Sequence, residues 1–254
     1  MNAVKKHYSG WSVLQEGLKG QTGWTKAWHD RDPAPRYDIL IIGGGGHGLA
    51  TAYYLARTHG ITRVAVIEKG WIGGGNTGRN TTIIRSNYFY PESAALYDLS
   101  VSLYEGLSRE LNYNIMFSQR GMIEVAHSEA ELEMMCRGAN AMRINGIDIE
   151  ILDRDEILRL APLLNADVDC RWPVVGGMIQ RRAGVARHDA VAWGYAGAAD
   201  SLGVHIIQNC EVTGFELQRG RVTAIETSRG RIVPDRFGMA VAGHSTVLAG
   251  MAGF

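Results

Sequence analysis

The first strong signal along the chain is an apolar run, Ile39 to Ile42, that stops at four glycines and resumes as Leu49-Ala50-Thr51-Ala52-Tyr53-Tyr54-Leu55-Ala56. That pattern predicts a buried strand, a tight turn and a helix. A second run, residues 63–67, ends at Glu68 and predicts a second strand. Between Pro91 and Tyr113, Leu96, Leu99, Leu103, Leu107 and Leu111 recur at helical spacing and predict an amphipathic helix. Met122 to Val125 reads as a strand. Ser128 with Glu131 forms a capping-box signature for a helix through Leu132, Met135, Cys136, Ala139 and Met142, with its methionines in the core and Gly146 closing it. Asp153 with Glu156 repeats that signature before Ile157, Leu158 and Leu160, and Pro162 stops the helix.

Gly177 to Gln180 predicts another strand. A helix with Val191, Tyr195, Ala198, Ala199 and Leu202 on one face follows and ends at Gly203. Strands are then expected at residues 204–208, 211–217, 222–227 and 231–234, joined by short turns. A last apolar run from Phe237 to Gly243 predicts a further parallel strand. Such a strand normally leads to further substrate-domain chain, so the sequence, which stops at Phe254, reads as a fragment.

The glycines carry the first chemistry. Gly43, Gly45 and Gly48 have dinucleotide spacing: Gly43 for the turn, Gly45 for close backbone approach to a pyrophosphate, and Gly48 for helix–strand contact. The helix N-terminus offers unpaired N–H groups to phosphate, the backbone N–H of His47 among them. Glu68 stands ~20 residues beyond the glycines, where an acid would hold a ribose hydroxyl. The stretch from Lys69 to Tyr88 is a glycine-rich loop with Asn76, Arg79, Asn80, Thr81 and Thr82. It is rich in donors and suits the second face of an extended cofactor, which a nicotinamide enzyme does not need.

Composition narrows the setting. The 254 residues allow one large α/β domain or two small ones, and 26 basic against 26 acidic residues give no bulk attraction to nucleic acid or an anionic membrane. Cys136, Cys170 and Cys210 form no CxxC pair, which argues against a zinc site or a disulfide framework and for a reduced, cytoplasmic setting. No segment reaches the ~18 consecutive apolar residues of a membrane span. The first 28 residues lack the apolar stretch of a secretory signal but hold Trp11, Trp24 and Trp28, expected to pack on this chain or on another subunit.

Five stretches, residues 42–56, 79–88, 118–121, 187–196 and 206–214, closely resemble the β subunits of the heterotetrameric sarcosine oxidases, within the D-amino-acid-oxidase-like flavoproteins. The resemblance runs from Trp11 onward. It implies an α/β fold with a Rossmann-like FAD-binding domain and a second, mixed-sheet substrate domain that is incomplete in this chain. The expected division is an N-terminal arm (1–36), the FAD-binding βαβ unit (37–90), a substrate-domain portion with helices (91–184), and a second part of the FAD-binding domain with the FMN-attachment segment (185–254).

The resemblance also implies two flavins. Noncovalent FAD would lie on Gly43, Gly45, Gly46, His47 and Gly48, with Glu68, Lys69, Asn76, Arg79, Asn80, Thr81 and Val212 around it. FMN would be joined covalently to His188, flanked by Arg187, at the border with an α subunit. Arg187 would stabilise negative charge on the ring, and Asp189 would cap the following helix. The reaction implied is oxidative demethylation of sarcosine to glycine, with hydrogen peroxide formed and the one-carbon unit passed to tetrahydrofolate on the α subunit to give 5,10-methylenetetrahydrofolate. The partners implied are α, γ and δ subunits. Arg85 matches the carboxylate-binding arginine of related monomeric enzymes. Three alternatives stay open: a related N-methyl amino acid or opine oxidase, a dehydrogenase passing electrons to a carrier, and an inactive FAD-binding fragment without the family's C-terminal catalytic lysine.

Overall fold

The computed structural model describes residues 9–22, 26–165 and 167–254. Its largest element is a six-stranded sheet in the order β8-β2-β1-β11-β10-β9. These strands are β1 (Arg36–Ile42), β2 (Val64–Ile67), β8 (His205–Ile207), β9 (Val212–Gln218), β10 (Arg221–Thr227) and β11 (Gly230–Met239). β8, β2, β1 and β11 run parallel, whereas β9 and β10 are antiparallel additions. Strand alternation buries both faces of β1. Ile41 joins a cluster with Leu49, Tyr53, Val66 and Tyr195, while Leu40 and Ile42 join another with Ile67, Ile207, Ile225 and Ile232. The first cluster is capped by α2 (Gly46–His59) and α6 (His188–Ser201).

Residues 231–234 and 237–243 were expected as separate strands, but one strand runs from Gly230 to Met239, and the last expected residues lie beyond it in a 3-10 turn, Ala242–His244. β11 pairs antiparallel with β10 through Ile232 and then parallel with β1, where Pro234 lies opposite Tyr37. Proline has no N–H to donate, so it stands where one ladder gives way to the next.

The second sheet, β4-β6-β5, comprises β4 (Met122–Ala126), β5 (Ile149–Asp153) and the wholly buried β6 (Gly176–Gln180). It is antiparallel throughout. Two short strands, β3 (Ile83–Ile84) and β7 (Gly184–Val185), pair with each other. α3 (Pro91–Glu110) and α4 (Glu129–Ile144) meet the small sheet through Ala94, Ala139, Met142 and Met178, and α5 (Arg154–Leu160) meets it through Ile157.

The leucine stripe of α3 reaches the core only at its C-terminal end, through Leu107 and Leu111. Leu96, Leu99 and Leu103 are exposed (64, 61 and 40 %), Leu107 and Leu111 of the stripe are buried, and Ala94 and Val101 join them on the buried side. On α4, Cys136 is exposed as well. Ser128 Oγ caps Glu131 N–H there, but the Glu131 carboxylate accepts from His127 N–H, one residue short of a full box. Asp153 and Glu156 do close the box at α5.

The N-terminal arm carries α1 (Gly10–Leu18). Trp28 packs against the main core and Trp11 is exposed, while Trp24 lies outside the described residues. His29 Nδ1 lies 2.6 Å from Asp200 Oδ2, which ties the arm to α6. No helix among the described residues is long and apolar enough to cross a membrane.

Candidate functional site

The glycine turn closes as its spacing requires. β1 ends at Ile42, and Gly43 takes φ 111°, a conformation in which a side chain would run into the Ala240 carbonyl. A Cβ on Gly48 would overlap the Gly43 carbonyl oxygen and lie 3.2 Å from Ile41 Cγ2, so α2 sits on β1 only because residue 48 has none. Around Gly45 and Gly46 the surface is open. Within 4 Å of an added Cβ at either position lies only the Thr77 side chain. This bare turn at the start of a 14-residue helix has the shape and polarity of a phosphate seat.

Glu68 stands at the end of β2 beside that turn. Its Oε2 accepts from Gly44 N–H (2.8 Å) and its Oε1 from Gly70 N–H (2.9 Å). Each oxygen keeps a lone pair for a further donor such as a ribose hydroxyl. Lys69 is exposed, with Nζ 3.4 Å from His244 Nε2. The following loop folds back on the turn through Gly73 N–H to the Gly44 carbonyl (2.9 Å) and then makes a 3-10 turn, Asn76–Arg79. Asn80 closes that turn, its Nδ2 donating to the Thr77 carbonyl (2.7 Å) and its Oδ1 accepting from Thr82 N–H (2.7 Å). Val212 opens β9 and is buried beside Ile207 and Cys210.

Thr77 is the contact that sequence reasoning missed. Its hydroxyl accepts from Gly46 N–H at 2.9 Å, across a separation of 31 residues. A threonine in a polar loop carries no local sign of such a role.

Arg85 follows β3 in different surroundings. Its guanidinium donates to Asn87 Oδ1 (2.6 Å) and lies 4.6 Å above the centre of the Tyr88 ring. Asn87 is buried and donates in turn to Glu124 of β4 (2.7 Å). Arg85 makes no ion pair among the described residues, so its charge is held by neutral groups and one face of an aromatic ring.

His188 is the first residue of α6 and lines a cavity of about 300 Å³ with Trp71, Arg79 and Trp193. Its Nδ1 is buried and has no hydrogen-bond partner among the described residues. The neighbours differ from expectation. Arg187 is the N-cap residue, and Asp189 is already inside the helix, so Asp189 does not cap it. Its carboxylate instead takes both arms of the Arg187 guanidinium (2.9 and 2.6 Å). That pairing pulls the Asp189 pKa down to about 2, against a smaller opposing push from burial. Arg187 is therefore already neutralised, and among the charged side chains that line the cavity Arg79 is the cation without an ion pair among the described residues.

The structure thus gathers Gly43, Gly45, Gly46, Gly48, Glu68 and Thr77 at one turn, and Arg79 and His188 at one cavity, while Arg85 and Val212 are built into separate neighbourhoods. Residues 38–254 match the DAO family, described as FAD dependent oxidoreductase. The chain is 54 % identical over 246 residues to sarcosine oxidase subunit beta of Rhizobium meliloti, covering 97 % of this chain and 59 % of the relative. It is 52 % identical over 249 residues to the protein of the same name from Rhodobacter capsulatus, covering 98 % and 60 %. The chain therefore spans about three fifths of the length of these relatives. Among solved structures, L-proline dehydrogenase from P. horikoshii superposes with a TM-score of 0.80 at 25 % identity, over 87 % of this chain and 57 % of the other. With the phosphate seat, the acid at the end of β2 and the match over nearly all of the sheet, the chain belongs to the DAO family of FAD-dependent oxidoreductases.

Proposed function

We propose that the chain is the flavin-carrying β subunit of a multi-subunit sarcosine oxidase, acting with α, γ and δ subunits in the cytoplasm. The observation that carries the reading is the bare seat at the N-terminus of α2, where a Cβ at Gly43 or Gly48 would strike backbone and the surface over Gly45 and Gly46 is left open. FAD fits that cradle without a covalent bond. When bound, it supplies the two-electron acceptor for a C–H bond next to nitrogen. The N–H groups of His47 and Gly48 would face its diphosphate, the Gly46 N–H being donated to Thr77, and Glu68 would hold a ribose hydroxyl. Lys69, Asn76, Arg79, Asn80, Thr81 and Val212 complete the surroundings on this reading.

Arg85 is assigned to the substrate carboxylate. A guanidinium fork suits bidentate contact with a carboxylate, and at Arg85 no protein carboxylate competes for it among the described residues. With the carboxylate held there, the N-methyl group of sarcosine becomes the reacting end. Hydrogen peroxide and, with tetrahydrofolate, 5,10-methylenetetrahydrofolate are the products proposed for the whole complex. Arg85→Lys is expected to raise KM for sarcosine several-fold while flavin content is unchanged; loss of flavin would reassign Arg85 to the cofactor.

His188 is assigned to FMN. The fit rests on its buried Nδ1 and on a cavity walled by two tryptophans and an arginine, the nitrogen and the arginine both unpartnered among the described residues. His188→Ala should remove the flavin that survives acid precipitation and leave the extractable FAD. Acid-stable flavin that persists in this variant overturns the assignment.

The central experiment is the absorption spectrum of the complex containing this chain. Oxidised flavin that bleaches anaerobically on sarcosine is expected. Bound flavin that sarcosine does not bleach refutes the substrate.

A further inference from the structure

The N-terminus of α2 lacks the residue that normally finishes one. Its N-cap is Gly45, which has no side chain to accept a hydrogen bond from the first turn. The oxygen found there comes from elsewhere in the chain: Thr77 Oγ1, 2.9 Å from Gly46 N. Thr77 is held firmly for this role. Its carbonyl accepts from Asn80 Nδ2 (2.7 Å), and its methyl group lies 4.0 Å from where a Cβ would stand at both Gly46 and Gly73. The bond from Asn80 holds the Thr77 backbone, and the Gly46 N–H sets the hydroxyl over the glycine turn.

A hydroxyl has one proton to give and two lone pairs. Gly46 N–H uses one lone pair, and among the described residues no acceptor takes the proton. The helix end polarises the hydroxyl through that N–H, which strengthens it as a donor. We propose that Thr77 is a diphosphate-binding residue: it relays the dipole of α2 through Gly46 N–H and its own O–H to a phosphate oxygen of the dinucleotide seated on the turn. This inference rests on the FAD reading above and adds to it a ligand that its glycine and acid pattern does not contain.

The test is titration of the flavin-stripped protein with FAD, ADP and adenosine. ADP carries the diphosphate and adenosine does not, so the pair separates a phosphate contact from a general loss of loop structure. Thr77→Val should weaken FAD and ADP about 10-fold, the effect of removing one hydrogen bond to a charged group. Adenosine affinity should not change, and Thr77→Ser should recover the parent values to within about 2-fold. Thr77→Ala removes the same hydroxyl without a branched side chain and must give the same pattern, which keeps the test decisive should the valine variant misfold. ADP bound equally well by parent and variants overturns the proposal, as does an equal loss for ADP and adenosine. A parent protein that binds neither FAD nor ADP overturns the FAD reading itself, a result distinct from either.

Discussion

Gly48→Ala is the substitution for which the structure sets the largest cost per atom added. The new methyl overlaps the Gly43 carbonyl oxygen and comes within 3.2 Å of both Gly43 C and Ile41 Cγ2. Gly43 cannot retreat, because its N–H is bonded to the Ile67 carbonyl (2.8 Å) and its own positive φ already brings it against the Ala240 carbonyl. The remaining relief is to lift the start of α2 off β1. Overpacking of one methyl against fixed atoms costs about 1–3 kcal/mol, with backbone at the upper end. Alanine in a helix returns at most about 1 kcal/mol over glycine. The net expectation is a loss of about 2 kcal/mol, with weaker FAD binding because the lifted end is the phosphate seat. Gly106→Ala is the control. That glycine lies within α3 with nothing within 4 Å of its would-be Cβ, so it should gain about 0.5–1 kcal/mol. Urea denaturation of the parent and both variants measures the difference, and flavin titration follows the seat. If Gly48→Ala proves as stable as Gly106→Ala, helix and strand do not meet through residue 48 and the close-contact argument fails.

Two further outcomes follow from buried polar groups. Gln180 is fully buried, accepts from Ser86 N–H (2.9 Å) and donates to Ser86 Oγ and Asp148 Oδ1 (2.7 and 3.0 Å). Gln180→Leu keeps the bulk but strands Ser86 N–H and a carboxylate oxygen, so a loss of about 2–4 kcal/mol is expected in urea melts, and a change below about 1 kcal/mol would contradict it. His205 has its pKa lowered, by burial first and by Arg31 second, against an opposing effect of Asp200, while the Tyr37 hydroxyl lies 2.9 Å from its Nδ1. A depressed histidine pKa means that the fold prefers the neutral ring. Its contribution is complete above the unfolded value near 6.5 and is lost as pH falls through the folded value. The stability of the parent should therefore decline from pH 7 toward pH 5, and His205→Gln should flatten that slope in thermal melts; an unchanged slope removes His205 from the account.

Features that depend on neighbours in sequence were legible, and those that depend on distant partners were not. The glycine turn is local: Gly43 needs positive φ and Gly48 needs a missing Cβ within one strand–helix unit, so residue spacing alone points to both. The Asp153–Glu156 box is local too, and it closes as expected. The stripe on α3 misleads because periodicity states which residues share a face but not which face has a partner. The small sheet and α4 take the side bearing Ala94, and three leucines are left outside. β11 reads as two strands because its two ladders have different partners and directions. Asp189 has the composition of an N-cap, yet α6 starts two residues earlier than a cap there would allow, and the Arg187 guanidinium claims its carboxylate.

The same distinction governs the charges at the His188 cavity. The sequence places Arg187 beside His188 and makes it the natural counter-charge for an anion there. A carboxylate with a pKa of about 2 stays ionised at any pH at which the protein is folded and used, so the Arg187–Asp189 pair contributes almost no net charge. Arg79 comes from a loop more than a hundred residues earlier and lines the cavity without an ion pair among the described residues, so the net positive charge at this wall is Arg79's. The 3-10 turn that ends in Arg79 also holds Thr77 over the start of α2. One short turn thus presents a hydroxyl to the phosphate seat and a cation to the cavity of His188. A change in its backbone, such as a side chain at Gly78 striking the Gly73 carbonyl (2.6 Å), must reach both places together.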